Sequence, residues 1–99
     1  MTFYQTLNTI GLPVEYGSQR KKKEPPYLAY RGGGQDQFHA DDTIFFKRET
    51  YVIEYYFKEK SAAQEEAIEN ALLESGYNYT KSEDITIDSD GIYMIYYYV

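Results

Sequence analysis

The sequence predicts an α+β fold, an antiparallel sheet of four to five strands with two helices packed mainly on one face. Three observations carry this. Residues 61–75 alternate with a helical period and are bracketed by a cap and a glycine. Residues 43–57 and 92–99 are dense in β-branched and aromatic side chains. The connections are short and carry Gly, Pro and Asp, which suits antiparallel neighbours. At 99 residues the chain has the length of one domain, expected to span 1–99.

The elements follow in order. Thr2 is the expected N-cap of a short helix over 2–11, with Phe3, Leu7 and Ile10 on one face and Gly11 and Pro13 ending it. A brief extended piece reaches Tyr16. Residues 17–26 hold Arg20, Lys21, Lys22 and Lys23 and close on Pro25-Pro26, with no apolar residue before them. Like charges side by side predict a mobile, solvated loop. Tyr27–Arg31 is the first strand, and Gly32-Gly33-Gly34 is expected to break or bend it. Residues 31–42 then read as a second mobile loop, polar apart from its anchor Phe38.

Strand 43–48 follows, then an irregularity near Glu49-Thr50, then strand 51–57. The irregularity is either a bulge in one bent strand or a tight hairpin. Period two places Tyr51, Ile53, Tyr55 and Phe57 on one face and Val52, Glu54, Tyr56 and Lys58 on the other. For the helix over 61–75, Ser61 and Gln64 suggest a capping box. Ala63, Ala67, Ala71, Ile68 and Leu72 form its apolar stripe, and Gly76 stands at C′. Tyr77–Ile87 reads as a strand, Asp88-Ser89-Asp90-Gly91 as a turn, and Ile92–Val99 as a strand apolar on both faces. Such a strand is covered on both sides, either within the chain or by a partner.

Composition narrows the function classes. There is no cysteine, hence no disulfide, thiolate site or thiol nucleophile. No apolar run approaches the ~20 residues of a membrane span, and no signal-like start is present, so a soluble, cytoplasmic chain is expected. The single His39, with Asp41, Asp42 and nearby Asp36, lies within one short stretch, which suits a polar connection better than converging metal ligands. The triple glycine lacks a following Gly-Lys-Ser/Thr or helix start, so no nucleotide loop is read. No nucleophile–base pair can be assigned, and no enzyme, cofactor or metal is expected.

Charge and aromatic content point to association. Thirteen tyrosines and five phenylalanines make the chain 18% aromatic, and tyrosine suits half-buried sheet and interface positions. Net charge is −6, yet residues 18–31 carry five bases against Glu24 alone. The basic loop, flanked by Tyr16, Tyr27 and Tyr30, is a solvated loop, an arm ordering on an acidic neighbour, or a nucleic-acid contact through phosphates and stacking. The acidic body argues against general or sequence-specific nucleic-acid binding.

The ordered strings Leu12-Pro13-Val14-Glu15-Tyr16-Gly17, Pro25-Pro26-Tyr27-Leu28-Ala29-Tyr30 and Asp36-Gln37-Phe38-His39-Ala40-Asp41-Asp42 resemble small prophage proteins of Gram-positive bacteria. So do the acidic helix, Tyr77-Asn78-Tyr79 and the closing aromatic hairpin. That family is encoded among head–tail joining and tail-completion genes of long-tailed phages. The resemblance implies a tail-terminator-like structural protein without catalytic residues, acting as a ring, commonly a hexamer. Its partners would be tail-tube and neck or connector proteins, and its location the virion or the bacterial host cytoplasm. The expected assembly residues are Tyr16, Arg20, Lys21, Lys22, Lys23, Tyr27, Arg31, Phe38, Asp41, Asp42 and Tyr97. The alternative is a small protein-binding regulatory module with a tyrosine-rich sheet surface.

Overall fold

The structure, a computed structural model, describes residues 2–17, 24–40, 43–87 and 91–99, with side chains described outside 35–48. Helix α1 (Phe3–Asn8) opens the chain. Thr2 caps it with a full capping box: its hydroxyl accepts from Gln5 N–H at 3.1 Å, and Gln5 Oε1 accepts from Thr2 N–H at 2.8 Å. Phe3 and Leu7 face inward. Phe3 stacks on Tyr51 at 4.0 Å and meets Tyr30 and Tyr77 edge-on.

Strand β1 (Val14–Tyr16) runs parallel to β2 (Tyr27–Ala40), which pairs antiparallel with β3 (Thr43–Phe57). Helix α2 (Ala62–Glu74) follows, then the two-residue strands β4 (Thr80–Lys81) and β5 (Ile85–Thr86), and finally β6 (Tyr93–Tyr98). The sheet order is β1-β2-β3-β6-β4, with β5 also pairing β6. The fold is therefore α+β, a six-stranded, mostly antiparallel open sheet with the helices packed on it. The core joins Leu28, Ile53, Tyr55, Phe57, Ile95, Tyr97 and Val99 of the sheet side to Phe3, Leu7, Ile68 and Leu72 of the helices. The period-two faces read for residues 51–57 hold.

Four expectations are corrected. Residues 31–40 are not a loop but the continuation of β2, because the β-branched and aromatic run of β3 supplies a partner strand whose ladder captures polar residues and glycines alike. The irregularity lies on β2: Gly32 pairs with Tyr51 and Gly34 with Thr50, leaving Gly33 as the extra residue, while β3 is one unbroken strand. The chain over 77–87 is not one strand. Only Thr80–Lys81 and Ile85–Thr86 pair with β6 as strands; at Ser82 the backbone N–H donates to Tyr96 O at 2.9 Å while the hydroxyl accepts from Tyr96 N–H at 2.8 Å. Finally, the buried stripe of α2 is Glu65, Ile68 and Leu72, while Ala63 and Ala67 face outward.

At the start of α2 the serine half of the expected capping box forms, and Gly76 stands at its end as the sequence suggests. Ser61 Oγ accepts from Gln64 N–H at 3.1 Å. At the other end Tyr77 N–H reaches Leu72 O at 2.9 Å and Gly76 N–H reaches Leu73 O at 3.1 Å, a Schellman closure. Gly76 has φ +88°, where a Cβ would be strained. Tyr77 consequently turns back onto the core.

Candidate assembly surface

The sheet body ends where β1 and β6 end. β1 pairs with Leu28–Tyr30 only, and β6 with Val52–Phe57. Beyond these, residues 34–40 and 43–50 pair solely with each other among the described residues. They form a two-stranded ribbon that projects from the body and draws the molecule out to 52 × 24 × 22 Å. Its register sets Asp36 against Arg48, Phe38 against Phe46 and His39 against Ile44, with a second irregularity between Phe38 and His39. The root is built for a bend. A Cβ at Gly33 would lie 2.8 Å from Thr50 Oγ1, Gly34 has φ +95°, and Thr50 Oγ1 donates to Gly34 O at 2.7 Å.

Both helices contribute to one core, and its sheet residues occupy one face. The register places a second set on the opposite face: Tyr27, Tyr56 and Met94 in one row, Ala29, Glu54 and Tyr96 in the next, Arg31, Val52 and Tyr98 in the third. No described helix packs there. Tyr27 stacks on Tyr56 at 4.6 Å and Tyr96 on Tyr98 at 5.8 Å, and Tyr27, Ala29, Val52 and Met94 are buried on this face. Tyr56 donates to Glu54 at 2.9 Å. Burial, together with that carboxylate, raises the Tyr56 pKa, which keeps its hydroxyl a donor. Arg31 is exposed and Tyr98 is 46% exposed.

The residues expected at the interface separate into groups. Tyr16, 71% exposed, stands at the sheet edge with its ring edge-on to Tyr30. Arg31 stands at the ribbon root and Phe38 on the ribbon itself. Arg20, Lys21, Lys22 and Lys23, with Asp41 and Asp42, lie outside the described residues. Tyr97 and Tyr27 are corrected. Tyr97 is fully buried in the core and Tyr27 is buried under its own neighbours, so neither ring is free to meet a partner. The core also takes in Tyr55 and packs Tyr30, Tyr51, Tyr77 and Tyr79 against itself, absorbing more tyrosine than the composition suggests.

One cluster of ionisable groups was missed. Beneath α2, Lys81 Nζ lies 2.7 Å from Glu65 Oε1 and 2.8 Å from Glu69 Oε2. Tyr97 and Tyr79 hydroxyls donate to Glu69 at 2.9 and 3.2 Å. Lys60 meets Glu65 Oε2 at 2.9 Å and Asp84 at 2.9 Å. Glu65 is 4% exposed, and these two ammonium groups are what make a buried carboxylate tolerable. Burial pulls the Lys81 pKa down, but its bonds to the two carboxylates outweigh that and hold it above the ordinary lysine value. Burial, then the bond to Glu69, raises Tyr97. The cluster thus keeps its amine and phenol protonated and ties α2 to β4 and β6, a structural clamp. Its signal in the sequence was the i, i+4 pair Glu65 and Glu69 on the face shared with Ile68 and Leu72.

A cleft of about 320 Å³ between the ribbon root and the 78–80 segment carries uncharged groups such as Thr50, Asn78, Thr80 and Tyr98. Another of about 400 Å³ lies between Pro25-Pro26 and the start of α2. No group of three or more metal-ligating side chains occurs among the described residues. No described helix is long and apolar enough to cross a membrane. The chain matches no family model, and no curated protein is found similar to it.

Proposed function

We propose that this chain is a non-enzymatic phage structural protein that joins head to tail or completes the tail, working by self-association into a ring. The observation that carries the self-association is the ribbon, a projecting two-stranded arm with both outer edges unpaired among the described residues. Open strand edges are templates for another chain, and two strands alone are marginal in water. The phage role rests on the resemblance of residues 12–17, 25–30 and 36–42 to head–tail joining proteins. A closed ring, commonly of six copies in such proteins, needs heterologous contacts, in which one patch meets a different patch on the neighbour. An arm on one side and a sheet face on the other supply that asymmetry. The basic stretch 20–23 and the acidic remainder of the chain add complementary charge. Tail-tube and connector proteins are the further partners, and the virion the site of action.

The test is mass in solution across concentration and salt, with negative-stain microscopy of the assembled fraction. The expected result is a ring whose population grows with concentration. A strict monomer at millimolar concentration that also fails to bind tail-tube or connector protein overturns the proposal. The tyrosine-bearing face, with Tyr98 46% exposed, favours one second reading, a small regulatory module that docks a host or phage protein there. Gene neighbourhood separates the two: portal, capsid and tail-tube genes alongside support assembly.

A further inference from the structure

We infer that residues 80–87 form a strap that opens as a unit while the rest of the fold stays closed, and that ion pairs to α2 and Lys60 hold it shut, so that acid releases it. This stands independently of the self-association proposed above. None of the strap's residues is buried, and only Ser82 and Ile85 are half-buried. Its strand pairing is to β6 alone among the described residues, through two ladders of two residues each. A segment with few apolar contacts and exposed backbone bonds lies at the low end of local stability. Tyr77 and Tyr79, just before it, pack against the core and root it.

Side-chain charge ties the strap to the body. Lys81 reaches Glu65 and Glu69 of α2 at 2.7 and 2.8 Å, and Asp84 reaches Lys60 at 2.9 Å. The body is built to survive the loss of these ties. Lys60 keeps Glu65 Oε2 at 2.9 Å, and the Tyr97 and Tyr79 hydroxyls stay on Glu69 at 2.9 and 3.2 Å. Opening therefore leaves each carboxylate one partner, which avoids the heavy cost of an uncompensated buried charge.

The cluster also sets the response to pH. Glu65 and Glu69 face Lys81 of β4, Lys60 before α2, Tyr97 of β6 and Tyr79, with Tyr55 of β3 close enough to Glu65 to be influenced by it, while Asp84 faces Lys60. Burial works to raise the Glu69 pKa, but Lys81 and the two hydroxyls outweigh this and hold it below the ordinary 4.5. Opening removes Lys81, so the open form binds a proton on Glu69 more readily than the closed one. Opening thus takes up a proton and is favoured as pH falls through the closed-state value. Lys81 is held above the ordinary lysine value and stays charged throughout that range.

The register of β6 supplies the test. Val99 and Tyr51 exchange both backbone bonds at 3.0 Å, so by the alternation of an antiparallel pair the odd-numbered residues of β6 bond to β3. The even-numbered residues turn to the strap: Ser82 N–H donates to Tyr96 O and Ile87 N–H to Ile92 O, both at 2.9 Å. Amide exchange of the full chain, followed by NMR in urea below the unfolding transition, reads strap and body on alternate residues of one strand. Met94, Tyr96 and Tyr98 are expected to exchange with little dependence on urea, and Ile95 and Tyr97 with the steep dependence of global unfolding. Lys81→Gln is expected to lower protection at Tyr96 and Tyr98 by at least about tenfold. Their protection, corrected for the intrinsic pH dependence of exchange, should fall below about pH 4.5, and less so in Glu69→Gln. Equal urea dependence at odd and even residues would mean that the strap opens only with the whole fold, and overturns the proposal. Unchanged protection in Lys81→Gln overturns the ionic latch, and protection that ignores acid overturns the release.

Discussion

Glu65 shows how a single residue is decided by its neighbours. Its carboxylate is buried, yet Lys81 and Lys60 approach its two oxygens at 2.7 and 2.9 Å. Lys81→Met is expected to destabilise the fold by about 2 kcal/mol, because it leaves two carboxylates short of a partner; chemical denaturation measures it. Tyr97→Phe removes one donor to Glu69 while keeping the ring in the core, and should cost about 1 kcal/mol. Glu69 gives a pH signature. Burial works to raise its pKa, but Lys81 and the Tyr97 and Tyr79 hydroxyls outweigh this and hold it below the ordinary 4.5. A depressed folded pKa contributes stability that is complete above the unfolded value and is lost as pH falls through the folded one. Melting temperature should therefore drop below about pH 4.5, and Glu69→Gln should show a shallower drop over the same range. Parallel curves for the two proteins would refute that assignment.

At the scale of elements, the helices are specified locally and anchored tertiarily. Leu72 sits in the centre of the core, and Leu72→Ala is expected to cost about 2–5 kcal/mol, read by denaturant midpoint. The long β2–β3 pair depends on its root. Gly34 at φ +95° accepts through its carbonyl from Thr50, so Gly34→Ala combines a strained backbone with a disturbed bend. A loss of about 1 kcal/mol is expected. The more telling readout is the angle of the ribbon, visible as changed exchange of amide protons over 43–50 with the sheet body unaffected.

At the scale of the whole molecule, the sheet has one face filled by helices and another left to tyrosines, with a ribbon extending from its middle strands. Body and ribbon share the strands β2 and β3. Replacing residues 35–48 by a two-residue Asn-Gly turn should leave the melting temperature within a few degrees of the parent and remove self-association. A collapse of the fold on this deletion would show that the ribbon serves the core instead.

The chain's linear pattern carried the two helices with their caps, the period-two faces of residues 51–57 and the α+β class, because these rest on interactions within a few residues. Phe38 and Arg31 were picked out as candidates from the sequence, though Phe38 as the anchor of a loop and Arg31 where the strand was expected to give way to it. Strand 32–40 was illegible: glycines and polar residues have no strand preference of their own, and only the ladder offered by β3 holds them extended. The buried face of α2 was misread for a related reason. A carboxylate enters the core only when Lys60, two residues before α2 begins, and Lys81, seven residues past its end, arrive from other segments. Tyr27 and Tyr97 were expected at the assembly surface, and tertiary packing buries them. What was local was written in the sequence; what depended on a distant strand or a distant charge was decided by the fold.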